Sequence, residues 1–123
     1  AANTDVTVGG TITLPAMTIY PQATSQTTTV SITGAEQQFI VDTIATASIP
    51  AGTAISFNIN NASIQLNKTL IVCTKMGSTT ALVNVNDFVS VTAAGGMTLT
   101  RHNFGTGAAT GLQRLAFKLI QTA

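Results

Sequence analysis

Hydroxyl and aliphatic side chains alternate along much of this chain. Asp5–Val8 reads Asp-Val-Thr-Val and Thr11–Leu14 reads Thr-Ile-Thr-Leu, with Gly9 and Gly10 between them. In Ala54–Asn60, Ile55, Phe57 and Ile59 fall on one face, and Ser56, Asn58 and Asn60 on the other. Met97, Leu99 and Arg101 share one side of the segment Met97–Asn103. Side chains of a strand point alternately to its two faces, so this period of two marks strands with one face on a core. A one-residue slip would expose each apolar set. The pattern therefore predicts Phe57, Ile59, Leu70, Val72, Val83, Val85, Leu99 and Phe117 as core residues.

Some segments are less regular. Thr69–Lys75 is a nearly continuous apolar run, and Leu82 is out of phase with Val83, Val85 and Asp87, which predicts a bulge or bend near Asn86–Phe88. Leu112–Ile120 fits a helix face through Leu112, Leu115, Ala116 and Leu119, or a strand face through Leu115, Phe117 and Leu119. The strand is preferred because every neighbouring segment is β and no capping residue opens a helix. Thr33–Gln38 reads as one helical turn or a loop. Turn chemistry punctuates the chain at Pro21–Ser25, Pro50–Thr53, Thr92–Gly96 and Phe104–Gly111. Short alternating segments split in this way predict an all-β fold, an antiparallel β-sandwich of jelly-roll type, as a single domain over residues 1–123. Residues 1–20 read either as an extended N-terminal arm or as the first two strands of the same sandwich.

Composition narrows the function classes. Charged residues make up 7% of the chain, against about 25% in an average soluble domain. Thr, Ser, Asn and Gln replace them. With a mean hydropathy of +0.39 this is not the composition of a disordered chain. A net charge of +1 leaves no basic stripe for nucleic acid. The apolar runs are too short for a helical membrane span. The stretch Ala1–Gly10 has neither a basic start nor an apolar core, so no signal peptide is expected, and an Ala start suits a chain that has lost its initiator Met. Cys73 is the only cysteine, so no internal disulfide forms, and its place in an apolar run predicts a buried small residue.

The inventory of reactive groups is thin. His102 is the only histidine. A hydrolytic triad would need it beside Asp42 or Asp87 and a nucleophile, and no nucleophile elbow is present. Acids are scattered one per segment, so no metal site is expected. Gly105–Gly111 spaces its glycines as G-x-G-x-x-x-G, unlike the dinucleotide fingerprint, and reads as a hairpin loop. Asn61 and Asn67 each open an N-x-S/T sequon, a match that a chain rich in these residues produces by chance. Tyr20 beside Pro21 is a small platform for stacking a sugar. The expectation is a protein that is not an enzyme and takes no cofactor.

The segments "IPAGTAISFNINN", "TLIVCTKMGSTTALVNV", "VTAAGGMTLTRHNFG" and "LQRLAFKLI" together cover Ile49–Ile120 with short gaps. Their order resembles a short β-sandwich type found in tailed-phage virion proteins. It runs from a Pro-Ala-Gly-Thr turn through a Phe and Asn strand, an aliphatic strand and a Thr-rich strand ending in Arg-x-Asn to a last strand with a central Phe. The resemblance implies a structural protein on the capsid surface of a virion, a decoration (cement) protein that binds the major capsid protein and stabilises the shell. Its domain-sized length favours a whole decoration protein over a fragment. The alternative is a receptor- or glycan-binding domain of a tail or head fibre. Low charge leaves strand edges unguarded, which predicts a homo-oligomer, a dimer or trimer. The aliphatic residues Val6, Val8, Ile12, Leu14, Met17 and Tyr20 are its candidate docking or oligomer contacts.

Overall fold

The computed structural model describes residues 9–10, 16–77 and 82–123. Among these, every regular element is a β-strand: β1 (Ile19–Pro21), β2 (Val30–Ser31), β3 (Gln38–Asp42), β4 (Ser48–Ile49), β5 (Ala54–Asn60), β6 (Thr69–Lys75), β7 (Val85–Ser90), β8 (Gly96–Asn103), β9 (Ala109–Thr110) and β10 (Arg114–Gln121). They form two four-stranded sheets, β1-β3-β10-β6 and β2-β5-β8-β7, and a two-stranded ribbon, β4-β9. The last segment is a strand, as preferred above, and Thr33–Gln37 is loop.

The expectation of purely antiparallel sheets needs correction. β1 pairs with β3 and β2 with β5 in parallel, while all other pairings are antiparallel. The physical reason lies in the route of the chain. It leaves β1 for the other sheet, forms β2 there, and returns for β3. A tight hairpin turns a strand antiparallel to its predecessor, whereas such a crossover delivers it parallel.

Both sheets contribute to one apolar cluster. Phe39, Val41, Leu115, Phe117 and Leu119 come from the first sheet, and Val30, Phe57, Ile59, Met97 and Leu99 from the second. Phe39 and Phe117 are register partners on β3 and β10, and their rings stack at 5.1 Å. Each fully buried side chain of this kind stabilises the fold by about 1.5–3 kcal/mol. Ile49, Leu82, Val85 and Ala109 form a second, smaller cluster under the ribbon. The turns follow the sequence signals. Gly52 at φ 70° closes the Pro50–Thr53 turn, where the Thr53 amide donates to the Pro50 carbonyl at 3.2 Å. Gly95 at φ 86° closes the β7–β8 connection.

Phe57, Ile59, Val85, Leu99 and Phe117 are buried as predicted. Leu70, Val72 and Val83 are not: they are 57%, 49% and 64% exposed. In β6 both faces are aliphatic, so periodicity could not choose between them. The choice is made across the strand pair. β10 turns Leu115, Phe117 and Leu119 into the core, and their partners on β6 are Lys75, Cys73 and Ile71. Partners directly opposite share a face, so Leu70 and Val72 point outward. Val83 lies in a turn ahead of β7, so Leu82 and Val85, three residues apart, reach the smaller cluster in its place.

Candidate functional site

The most distinctive chemistry lies where β6, an edge of the first sheet, runs beside β7, an edge of the second. A cleft of about 360 Å³ opens there, lined by Cys73, Thr74, Lys75, Val85, Asn86, Asp87 and Leu115. Its polar floor follows from strand alternation. β8 directs Met97, Leu99 and then Arg101 inward, and Arg101 is 0% exposed. Asp87 is its register partner on β7. A buried guanidinium must be paired, and Arg101 Nε donates to Asp87 Oδ1 at 2.9 Å. Lys75 reaches over from β6. Its ammonium donates to the carbonyls of Leu82, at 3.3 Å, and of Val85, and stands 4.0 Å from Asp87 Oδ2.

Two cations thus face one acid in a largely desolvated space. Burial pushes the Asp87 carboxyl above its usual range, opposed first by Arg101 and then by Lys75. Burial, with a smaller push from Asp87, raises the Cys73 thiol to about 12. Cys73 therefore stays a neutral thiol at physiological pH, unsuited to nucleophilic attack. Among the described residues, Arg101 Nη1 and Nη2 and Asp87 Oδ2 are buried without a hydrogen-bond partner. The cluster holds two strand edges together and presents one partly exposed cation, Lys75, to the cleft.

His102 sits on the opposite face of β8 from Arg101. Its ring lies against Phe104 at a centroid distance of 4.0 Å. Each acid considered for it is engaged by an arginine: Arg101 Nε donates to Asp87, and Asp42 accepts from Arg114 Nε at 2.8 Å and Nη2 at 2.9 Å. Among the described residues no group of His, Cys and acids has the clustering that a metal ion needs.

Of the candidate contact residues, Val6, Val8, Ile12 and Leu14 lie outside the described residues. Met17, just before β1, is half-buried. Tyr20 is half-buried and packs on the main cluster, edge-on to Phe39 at 6.5 Å, with its hydroxyl donating to the Glu36 carboxylate. Its ring is thus turned inward. Of the two sequons, Asn61 is buried, and its amide donates to the Glu36 carbonyl at 2.8 Å and accepts from the Ser63 amide at 2.9 Å. Asn103, which sequence reasoning passed over, is buried and ties the 104–111 loop by donating to the carbonyls of Ile49 at 2.9 Å and Gly107 at 2.8 Å.

A second polar depression of about 290 Å³ lies at the β7–β8 turn, beside Asn58, Asn60 and Thr98. Compared with family models, with curated proteins and with solved structures, the chain matches none of them.

Proposed function

We propose that this chain is a non-enzymatic structural protein of a phage virion, a decoration (cement) protein that docks on the major capsid protein as a homo-oligomer. In this reading its two sheets make a jelly-roll-like β-sandwich. The observation that supports it is the outer face of the first sheet. Leu70, Val72 and Ile120 are exposed together there at the β6 side, next to Lys118, the partner of Val72 on β10, and Ile19 is exposed at the far edge. Exposed apolar surface grouped on one face marks a contact with another macromolecule. A shell-binding protein works by adding contacts between subunits, and backbone edges and aliphatic surface suffice for that.

Co-sedimentation with assembled, DNA-free phage shells tests the proposal. The protein should pellet saturably with shells and raise their thermal rupture temperature. Absence of binding to any shell of the source phage would overturn it. The second reading, a glycan-binding fibre domain, draws on the amide- and hydroxyl-lined depression beside Asn58, Asn60 and Thr98. Saturable binding on a glycan array, lost on Asn58→Ala, would favour it instead.

A further inference from the structure

We propose that Lys75 and Asp87 join in an amide bond, a covalent staple between β6 of the first sheet and β7 of the second. The proposal goes beyond the shell reading and does not depend on it.

The arrangement comes from three strands. Asp87 lies inward on β7, and its side chain is 4% exposed. Its Oδ1 accepts from Arg101 Nε of β8 at 2.9 Å. Its Oδ2 lies 4.0 Å from Lys75 Nζ of β6. A lysine ammonium has three N–H donors. Two of them go to the carbonyls of Leu82 and Val85. The third is left for Asp87, the ion-pair partner. Once that proton moves to Oδ2, the nitrogen has a lone pair on the side of the carboxyl group and is a nucleophile.

The two oxygens of Asp87 then differ in role. Burial raises the carboxyl above its usual range, which favours the neutral acid that an amine attacks. The Nζ–Cγ bond forms as the C=O electron pair moves onto Oδ1. Arg101 stabilises the negative charge that develops there. A second Nζ proton passes to the Oδ2 hydroxyl. The Cγ–Oδ2 bond breaks, Oδ2 leaves as water, and the C=O bond reforms. An ammonium and a carboxylate thus become an amide and one water, with no change in net charge and no further reactant. Arg101 keeps its acceptor, because Oδ1 becomes the amide oxygen. The reaction removes two charges from a largely desolvated place, where each is costly. The fold supplies the high effective concentration that the same two groups lack on separate molecules. The product ties the edge of one sheet to the edge of the other, and a bond of this kind also restricts the unfolded chain.

Intact-protein mass spectrometry of the full chain tests this. Newly folded chains carry the free pair, so the mass is followed until it is constant. The final mass should be that of the sequence less one water. Trypsin should then fail to cut after Lys75 and should release Thr69–Arg101 as one peptide, lighter by one water, whose fragments show Lys75 linked to Asp87. Lys75→Arg keeps the charge, but a guanidinium stays protonated and does not attack. This variant should hold the full mass, be cut after position 75 and melt at a lower temperature than the linked protein. A final mass equal to that of the full sequence, in protein shown by circular dichroism to be folded, would overturn the proposal. A loss of water that persists in Lys75→Arg would overturn it too, since it would mark a cyclic imide. If Lys75→Arg does not fold, the wild-type digest decides alone, and separate peptides Thr69–Lys75 and Met76–Arg101 sink the idea. Linked protein that ignores shells would overturn the decoration reading and leave the bond standing.

Discussion

The two four-stranded sheets run their strands in the same pattern: two parallel, then one reversed, then one restored. Their inner faces feed one core, yet their outer faces differ. The second sheet presents Ser56, Asn58, Thr98 and Thr100, which pair with one another across strands, and one exposed aromatic, Phe88, opposite Thr100. The Ser56 and Thr100 hydroxyls share a 2.9 Å hydrogen bond, and Thr98 donates to Asn58 at 2.9 Å. The first sheet presents Leu70, Val72, Ile120 and Ile19, with Gln38 and Lys118 among them. Hydroxyls and amides that bond to one another and to water suit a face that stays in solvent. Equal topology thus carries unequal outer chemistry, aliphatic along the β6 edge of the first sheet and mostly hydroxyl and amide on the second.

The largest expected effect strikes what the sheets share. Phe117 is buried and stacked on Phe39, so Phe117→Ala should cost about 3–5 kcal/mol in urea unfolding. Both sheets should lose hydrogen-exchange protection together. Protection lost from the first sheet alone would mean that the two do not form one cooperative unit.

A smaller effect tests the open side where the sheets' edges meet. The Asp87 carboxyl titrates above its unfolded value of 3.8 because burial disfavours its charge. The folded state therefore binds this proton more tightly than the unfolded state does. The contribution is fully present below pH 3.8 and is lost as pH rises through the raised folded value. The stability difference between wild type and Asp87→Asn should accordingly shift in favour of wild type as pH falls from neutrality into that window. A difference that shifts the other way would mean that the pull of Arg101 and Lys75 outweighs burial.

The smallest effects separate the outer faces. Ser56→Ala removes a cross-strand hydrogen bond and should cost about 0.5–1 kcal/mol. Val72→Thr, at an exposed site whose apolar surface the monomer does not use, should change monomer stability by less than about 0.5 kcal/mol. Unfolding midpoints measured below the association concentration compare the two. A larger loss at Val72 would place that face in the monomer's own packing.

Most of the β content was legible from alternation alone. β5 and β8 carry polar and apolar side chains in strict turn, and their inner residues Phe57, Ile59, Met97 and Leu99 are all buried. The Pro50–Thr53 and Thr92–Gly96 turns were legible because Gly52 and Gly95 supply the positive φ that such turns need. The candidate site was half legible. Arg101 was visible on the inward side of its strand, and Asp87 in phase with Val85, but nothing in the order of residues says that the two strands are neighbours in register. A charged residue at a core position is itself the signal, since it demands a partner.

The sequence by itself determined the longer strands, most of the turns between them, and which face of β5, β8 and β10 is inward, because those choices rest on local periodicity and backbone preference; the short β9 lies inside a segment that reads as a loop. Only the tertiary structure decided the inward face of β6, the outward position of Val83, the two parallel pairings and the meeting of Lys75, Asp87 and Arg101. In β6 the two faces are equally apolar, so burial gains little by choosing either one. The choice comes from Phe117 and its neighbours on β10, more than forty residues away in sequence, whose own alternation leaves no freedom.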